Sequence, residues 1–228
     1  MVCAFKNKRR FFRVFKVVTM ALLTTVLLTG ATVCVPAWAD VKLPDPLTEG
    51  GGGVFSLLKS RASALSGSYP TGQISQEELS TILWAASGLN RPGKGWTIPL
   101  AMGREPYCKV YVVGDDGTFL YDWKEHALRE ISKENVKAAI GSQAFVGKAS
   151  HVLVFVTDSK ALANFNNGRA EEWAYVAIGA MTQNVYLAAD ALGIGVRYLA
   201  SLSPDVARTS LQLAERDIPV CIMPIGKR

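Results

Sequence analysis

The side chains that most often carry out chemistry are few in this chain and lie far apart. The only histidines are His126 and His151, and no two cysteines are spaced as Cys-x-x-Cys. Zinc sites need clustered His and Cys ligands, and a serine hydrolase needs a histidine beside its nucleophile. A zinc site or a Ser-His-Asp triad is therefore not indicated, and we predict no catalytic side chain and no metal ligand.

Two cysteines, Cys108 and Cys221, follow residue 39, and each lies in an apolar run with strand character. A disulfide between them is allowed in an oxidising compartment. Two buried free thiols are the commoner arrangement, and we expect that arrangement here.

The first 39 residues have the order of a secretory signal peptide. Met1–Lys16 carries six basic side chains and no acidic one, Val17–Val35 is apolar, and Ala37-Trp38-Ala39 is a small-x-small cleavage site. We expect export to the periplasm or the medium. An uncleaved membrane anchor is the alternative, because the apolar run is long enough to span a bilayer. The pair Arg9-Arg10 also leaves open export by the twin-arginine route instead of the Sec route.

Export also accounts for the basic composition of the chain. Six of the 25 Lys and Arg residues lie in the predicted signal peptide, and the other 19 balance the 19 Asp and Glu residues, which all come later. The mature chain is therefore formally neutral. Its net charge gives no reason to expect binding to nucleic acid or to an anionic membrane.

Residues 40–228 suffice for one domain with its own core. Pro44 and Pro46 limit hydrogen bonding in the first segment, and Gly50–Gly53 is a flexible run, so we predict an extended, non-regular linker over 40–53. The domain itself is expected over 54–228.

Periodicity and turn residues predict helices and strands in mixed order, with one hairpin at Asp116-Gly117, and hence an α+β fold. The predicted helices cover 54–64, 76–87, 132–140, 171–192 and 204–214. The predicted strands cover 109–113, 118–121, 152–156, 195–199 and 218–225. The helix at 171–192 is apolar around most of its circumference, so we expect it to be buried in a core or a subunit interface.

Several segments form an ordered set along the chain: Leu43–Pro46, Leu58–Ser63, Leu83–Arg91, Pro99–Met102, Leu120–Asp122, Gln183–Ala189, Gly193–Gly195 and Met223–Gly226. Taken in order, these segments resemble the nitroreductase family of flavoproteins, most closely its small branch that is similar to azoline-forming dehydrogenases. The resemblance implies a central, mostly antiparallel sheet covered by helices, in an intertwined homodimer with two FMN molecules at the interface.

The resemblance also implies that electrons pass through the flavin to a small organic acceptor. The cofactor supplies the hydride chemistry in such enzymes, and the protein positions it. NAD(P)H is the usual donor of the family, but it is not normally supplied outside the cytoplasm. The electron donor of an exported member is therefore left open.

The family commonly holds the FMN phosphate with an Arg-x-Ser-x-basic run at its first helix. Here Arg61, Ala62 and Ser63 match the run, and Leu65 stands at the last basic position. A guanidinium and a hydroxyl suit a phosphate dianion. Lys227 and Arg228, at the chain end, are our candidates for the missing cation.

The family also lines the flavin ring with a Pro-Ser-x-x-Asn-x-Gln loop. This chain keeps Pro99 but has Leu100, Gly103 and Glu105 at the three polar positions. We expect backbone contacts to the ring from Pro99, Leu100 and Ala101, with Gly103 also beside the ring, and no side-chain hydrogen bonds from this loop. Two functions stay open: an exported FMN-dependent oxidoreductase, or a flavin-free dimer of the same fold that binds a ligand or a partner protein.

Overall fold

A seven-stranded sheet, antiparallel throughout, forms the centre of the molecule. The computed structural model describes residues 40–65, 69–91, 95–100, 105–158 and 170–227, so the predicted signal peptide lies outside the described residues. The spatial order of the strands is β1-β4-β3-β2-β5-β7-β6. Their bounds are Val41–Lys42 (β1), Cys108–Val113 (β2), Thr118–Asp122 (β3), Ala127–Ser132 (β4), His151–Asp158 (β5), Ile194–Val196 (β6) and Asp217–Lys227 (β7).

Helices cover both faces of this sheet. They are Val54–Ser60 (α1), Gln76–Ser87 (α2), Lys137–Ile140 (α3), Ala170–Ala191 (α4) and Pro204–Ser210 (α5), with a 3-10 helix at Ala144–Lys148. On β5, Leu153 and Phe155 pack into one apolar cluster with α2 and α4, and Val152 and Val154 pack into a second one with α5. Because both faces are covered, β5 is a continuous apolar run, as predicted. The α+β class is confirmed.

Local sequence signals set the ends of α2. The Ser75 hydroxyl accepts a hydrogen bond from the Glu78 backbone N–H at 3.2 Å, and the Glu78 carboxylate accepts one from the Ser75 N–H at 2.9 Å. This is the predicted capping box. The helix ends before Gly88, where a Cβ atom would lie only 2.4 Å from the Trp84 side chain.

The long helix α4 is exposed on one side of its N-terminal half, whereas residues 180–190 are buried or half-buried. Ala177, Ile178 and Met181 are buried, but Trp173 is 38% exposed and Val176 is 62% exposed. Burial within the single chain therefore accounts for only part of this helix, and its placement in a subunit interface stays a prediction. Gly193 follows the helix with φ of +67°, as a glycine C-cap should. No helix in the described ranges is long and apolar enough to cross a membrane.

Two more predictions need correction. In the expected linker, Val41 and Lys42 pair with β4, and Leu43 is buried, because the prolines come only after these residues and leave their backbone N–H groups free to bond. The helix expected from Ser132 is instead the end of β4, and only Lys137–Ile140 is helical.

Candidate functional site

The segment after α1 holds the predicted phosphate residues, and it is hydrogen-bonded to β6. Arg61 is the C-cap of α1, and its backbone N–H donates a hydrogen bond to the Leu57 carbonyl. The chain then becomes extended. The Ala64 N–H donates to the Val196 carbonyl at 2.8 Å. The Arg197 guanidinium donates to the Ala64 carbonyl at 3.1 Å. The backbone that carries Arg61, Ala62 and Ser63 is thus fixed to the sheet.

Tyr186 of α4 joins the two candidate phosphate side chains. Its hydroxyl lies 2.7 Å from the Ser63 Oγ, and the Arg61 guanidinium carbon lies 5.0 Å from the centre of its ring. The backbone N–H of Tyr198 donates to the same hydroxyl at 2.8 Å. Tyr186 itself is buried. The structure therefore brings Arg61 and Ser63 together on one buried aromatic side chain, and Ala62 lies exposed between them.

The charge at this place is positive. Among the described residues no carboxylate pairs with Arg61. Arg197, which no motif in the sequence marks, adds a second guanidinium just after β6. Leu65, at the position where the family has a basic residue, is 65% exposed and brings no charge. Arg197 is thus the nearest described candidate for the cation that Leu65 lacks.

Lys227 lies at the end of β7 and is already in an ion pair. Its ammonium group pairs with the Glu78 carboxylate of α2. The pKa of Glu78 is lowered: burial raises it, but the hydrogen bonds from Lys227 and from the Ser75 backbone outweigh that effect. The other predicted terminal cation, Arg228, lies outside the described residues.

The predicted ring-side loop is described only in part. Pro99 is exposed, and Leu100 packs against the core cluster of α2 and α4. Ala101 and Gly103 lie outside the described residues. The loop is held at Thr97, whose carbonyl accepts a hydrogen bond from the Asn184 side chain at 2.9 Å.

The two predicted parts of the site attach to different sides of α4 within one chain. Tyr186 holds Ser63, and Asn184 holds Thr97 at the start of the ring-side loop. Residues i and i+2 of a helix do not face each other. Ser63 and Thr97 of a single chain are therefore bound on different sides of this helix.

Glu105 does not point toward Arg61 or Ser63. Its carboxylate lies 2.9 Å from the Lys124 ammonium group, and both side chains are largely exposed. Within one chain, the Glu105 carboxylate is thus paired with a lysine.

A cavity of about 710 Å³ lies beside the Arg197 side chain. Tyr69 and Phe145 line it and stack with their ring centres 3.8 Å apart, and the Arg197 guanidinium carbon lies about 6 Å from both rings. Thr71, Gln143 and Lys148 contribute polar atoms to the lining. The cavity is large enough for a small organic molecule. Arg197 connects its aromatic wall to the Ala64 carbonyl, one residue after Ser63.

A second cavity, of about 360 Å³, lies between α1, α2 and the C-terminal half of α4. Its lining is mainly apolar, with Leu57, Trp84 and Leu187 among the residues. Gly50 and Gly51 border it, both with positive φ, and a Cβ atom on Gly51 would lie 3.3 Å from Ala191. None of the predicted FMN residues that the structure describes lines this cavity.

The remaining reactive side chains have structural surroundings. Cys108 and Cys221 are free and buried, as expected, and burial raises the pKa of each thiol to about 12. His126 lies between the Tyr121 hydroxyl at 2.9 Å and the Ser80 hydroxyl at 2.7 Å. Within the described ranges, no group of three or more His, Cys, Asp or Glu side chains is placed to hold a metal ion.

Comparison with known proteins decides the family. The model of the nitroreductase family matches residues 68–227. The chain belongs to the nitroreductase family. A candidate nitroreductase of Methanocaldococcus jannaschii is 28% identical over 171 residues, which cover 70% of this chain and 84% of that protein.

Solved structures agree with this assignment. The crystal structure of a candidate nitroreductase from Ralstonia eutropha JMP134 aligns with a TM-score of 0.75 and 30% identity, over 82% of this chain and 89% of that one. A chain of the E. coli microcin synthetase McbBCD complex aligns with a TM-score of 0.63 and 18% identity, over 93% and 84% of the two chains, which shows a shared fold. The nitroreductase-like α+β fold is thus confirmed, and the protein is an oxidoreductase of this family.

Proposed function

We propose that this protein is an exported, FMN-dependent oxidoreductase that passes electrons through a bound flavin to a small organic acceptor. The observation that carries the proposal is the pairing of Arg61 and Ser63 on Tyr186. Arg61 has no carboxylate partner in the described chain, and the Ser63 oxygen is fixed by its hydrogen bond. The guanidinium and the hydroxyl together are suitable donors for a phosphate dianion.

The residues fit FMN at its phosphate end. Arg61, Ser63 and the backbone of Ala62 would hold the phosphate, and Arg197 and Lys227 would add positive charge. Bound flavin would supply the two-electron redox chemistry. The protein's own part is to bind the phosphate, to orient the cofactor and to keep a cavity open for the acceptor.

The ring-side contacts favour a site completed by a second subunit. Since Pro99 and Leu100 attach to a different side of α4 from Ser63, we propose that the ring-side loop of one chain serves the phosphate residues of its partner in a homodimer. Backbone groups would contact the ring, since Leu100 carries no polar side chain. The cavity beside Tyr69 and Phe145 is the place we propose for the acceptor.

The visible absorption spectrum of residues 40–228, with and without added FMN, tests this proposal. Oxidised-flavin bands that survive gel filtration are the expected result, and electron donors can then be compared by how fast they bleach those bands. A folded protein that stays colourless in FMN would refute the cofactor assignment. N-terminal sequencing of the exported protein should find Asp40 as the first residue.

The apolar cavity near Trp84 and Leu187 favours a second candidate function. A flavin-free dimer would use this cavity, rather than Arg61 and Ser63, to bind an apolar ligand. Quenching of tryptophan fluorescence by an apolar dye such as anilinonaphthalene sulfonate, in a protein that does not bind FMN, would support this alternative.

A further inference from the structure

We propose that Tyr186 is a positioning residue that aims the Ser63 hydroxyl proton and the Arg61 guanidinium at the phosphate of the ligand. The inference rests on the proposed FMN site and adds a residue to it. It follows from the directions of three hydrogen bonds and from one ring contact.

The first step concerns the hydroxyl oxygen of Tyr186. A tyrosine hydroxyl has one proton to donate and two lone pairs that can accept. The backbone N–H of Tyr198 can only donate, and it lies 2.8 Å from this oxygen. One lone pair of Tyr186 is therefore taken by a backbone group that the sheet holds in place.

The second step concerns the proton of Tyr186. The side chain is buried, and a buried hydroxyl proton needs an acceptor. Among the described residues, the Ser63 Oγ at 2.7 Å is the one acceptor that this proton has. A phenol is also a better donor than an aliphatic hydroxyl. Tyr186 therefore donates to Ser63, although the distance alone would allow either direction.

The third step concerns the proton of Ser63. Its oxygen accepts from Tyr186, so its own proton points elsewhere, and no acceptor for it occurs in the described part of the chain. Ser63 is half-buried, so this proton is accessible. The backbone of Tyr198 thus orders Tyr186, Tyr186 orders Ser63, and Ser63 is left as a donor of fixed direction, which suits an anionic oxygen.

The ring of Tyr186 orders the second donor. The Arg61 guanidinium lies over it at 5.0 Å from the ring centre, where a cation–π contact holds the side chain without using its N–H donors. One residue, 123 positions further along the chain than Ser63, therefore prepares both phosphate donors before a ligand binds.

The test compares Tyr186→Phe with Tyr121→Phe as a matched control. Each variant removes one buried phenol hydroxyl. The Tyr121 hydroxyl bonds to His126 and to neither Arg61 nor Ser63. Dissociation constants are measured for FMN and for riboflavin, which lacks the phosphate. We expect Tyr186→Phe to weaken FMN binding by roughly 5- to 30-fold and to leave riboflavin binding unchanged. Tyr121→Phe should change neither dissociation constant.

A thermodynamic cycle provides a second readout. In the Tyr186→Phe background, Ser63→Ala should weaken FMN binding further by much less than it does in the wild type, because the Ser63 proton has already lost its direction. Tyr186→Leu, which also removes the ring beneath Arg61, should weaken FMN binding more than Tyr186→Phe does.

The results separate the two proposals. If the wild type does not bind FMN, the proposed function fails. Inorganic phosphate is then titrated into the wild type and Tyr186→Phe, and the shift of the Ser63 amide resonance measures its binding. Equal phosphate binding by the two proteins would overturn the role of Tyr186. If the wild type binds FMN and Tyr186→Phe binds it equally well, or loses FMN and riboflavin alike, the role assigned to Tyr186 is overturned and the proposed function stands.

Discussion

Lys227, near the end of the last strand, forms an ion pair with Glu78 in the first turn of α2. The same carboxylate group accepts the Ser75 N–H and so also closes the capping box. Between β6 and β7, Lys227 lies opposite Ile194, and Ile225 lies opposite Val196. The Val196 carbonyl accepts the backbone hydrogen bond from Ala64. Strand spacings therefore put Lys227 roughly 10 Å from the phosphate segment. Because Lys227 is paired with Glu78, a phosphate that it binds would share this cation with that carboxylate.

This sharing leads to a prediction for Glu78→Gln. The amide keeps an acceptor for the Ser75 N–H but releases Lys227, so FMN binding should tighten by about 3- to 10-fold. Lys227→Met should weaken it by a similar factor and lower the stability by about 0.5–1 kcal/mol, since the pair is partly exposed. Titration of FMN by fluorescence quenching measures both constants. If Glu78→Gln leaves the constant unchanged, Lys227 is not a phosphate ligand.

The phosphate residues themselves can be tested with a matched double variant. Arg61→Ala with Ser63→Ala removes a guanidinium and a hydroxyl and should abolish flavin retention through gel filtration, a loss of roughly 3 kcal/mol or more. Lys59→Ala with Ser60→Ala removes one cation and one hydroxyl from the neighbouring turn of α1 and should retain FMN. Flavin content is read from the visible spectrum against protein concentration. Equal content in the two variants would argue against the phosphate assignment.

The fold was predictable wherever the signal was local. The capping box at Ser75 and Glu78, the glycine after α4 and the apolar run of β5 each act within a few residues, and each is confirmed. The helix predicted to begin at Ser132 was wrong for a reason that is also local. The Ser132 hydroxyl accepts the Glu134 N–H in a turn after β4, which is another common use of a serine before an acidic residue.

The site was predictable only in part. The pattern around Arg61 and Ser63 predicts two phosphate donors, because the family keeps them close in sequence, and the structure places both on Tyr186. Tyr186 and Arg197 reach the same place from far along the chain, through α4 and the end of β6, and no spacing in the sequence links them to Ser63. Such partners follow from the sheet topology, which a single sequence does not specify.

Association into a dimer should depend on the apolar side chains that the single chain leaves exposed. Phe55 of α1 is 84% exposed, and Val176 of α4 is 62% exposed. Burying one such side chain contributes about 1.5–3 kcal/mol. We expect a dimer by light scattering at micromolar concentration, and Phe55→Ser with Val176→Ser should raise its dissociation constant at least about 10-fold. Leu89→Ser is the control, since Leu89 is exposed but lies on neither helix. A wild-type monomer would contradict the prediction.

The stability of the protein should fall as the pH decreases from about 7 to 5, because His126 is held neutral. Burial lowers its pKa in the folded protein, although the hydrogen bond to the Pro44 carbonyl opposes this. In the tautomer with its proton on Nε2, the Ser80 hydroxyl at 2.7 Å and the Pro44 carbonyl at 3.2 Å can accept that proton, and Nδ1 accepts from the Tyr121 hydroxyl. A second proton on Nδ1 would break the hydrogen bond that Tyr121 donates.

In the unfolded chain the imidazole takes up a proton near pH 6.5. A group whose pKa is lower in the folded protein stabilises the folded state at pH values above its unfolded-state pKa. This contribution is lost as the pH falls from the unfolded-state pKa toward the folded-state pKa. His151, whose pKa burial also lowers, should act in the same direction. Carboxylates with a lowered pKa, such as Glu78, act only at more acidic pH.

Urea denaturation at steps between pH 7.5 and 5 measures this dependence. His126→Asn should cost about 1–2 kcal/mol at pH 7.5 through lost hydrogen bonds, since asparagine tolerates the φ of +46° found at this position. The variant should lose less stability than the wild type between pH 7 and 5, because one of the two neutral imidazoles is gone. An unchanged slope would mean that the folded protein accommodates the charged His126, and that the contacts to Pro44 and Tyr121 adjust when it is protonated.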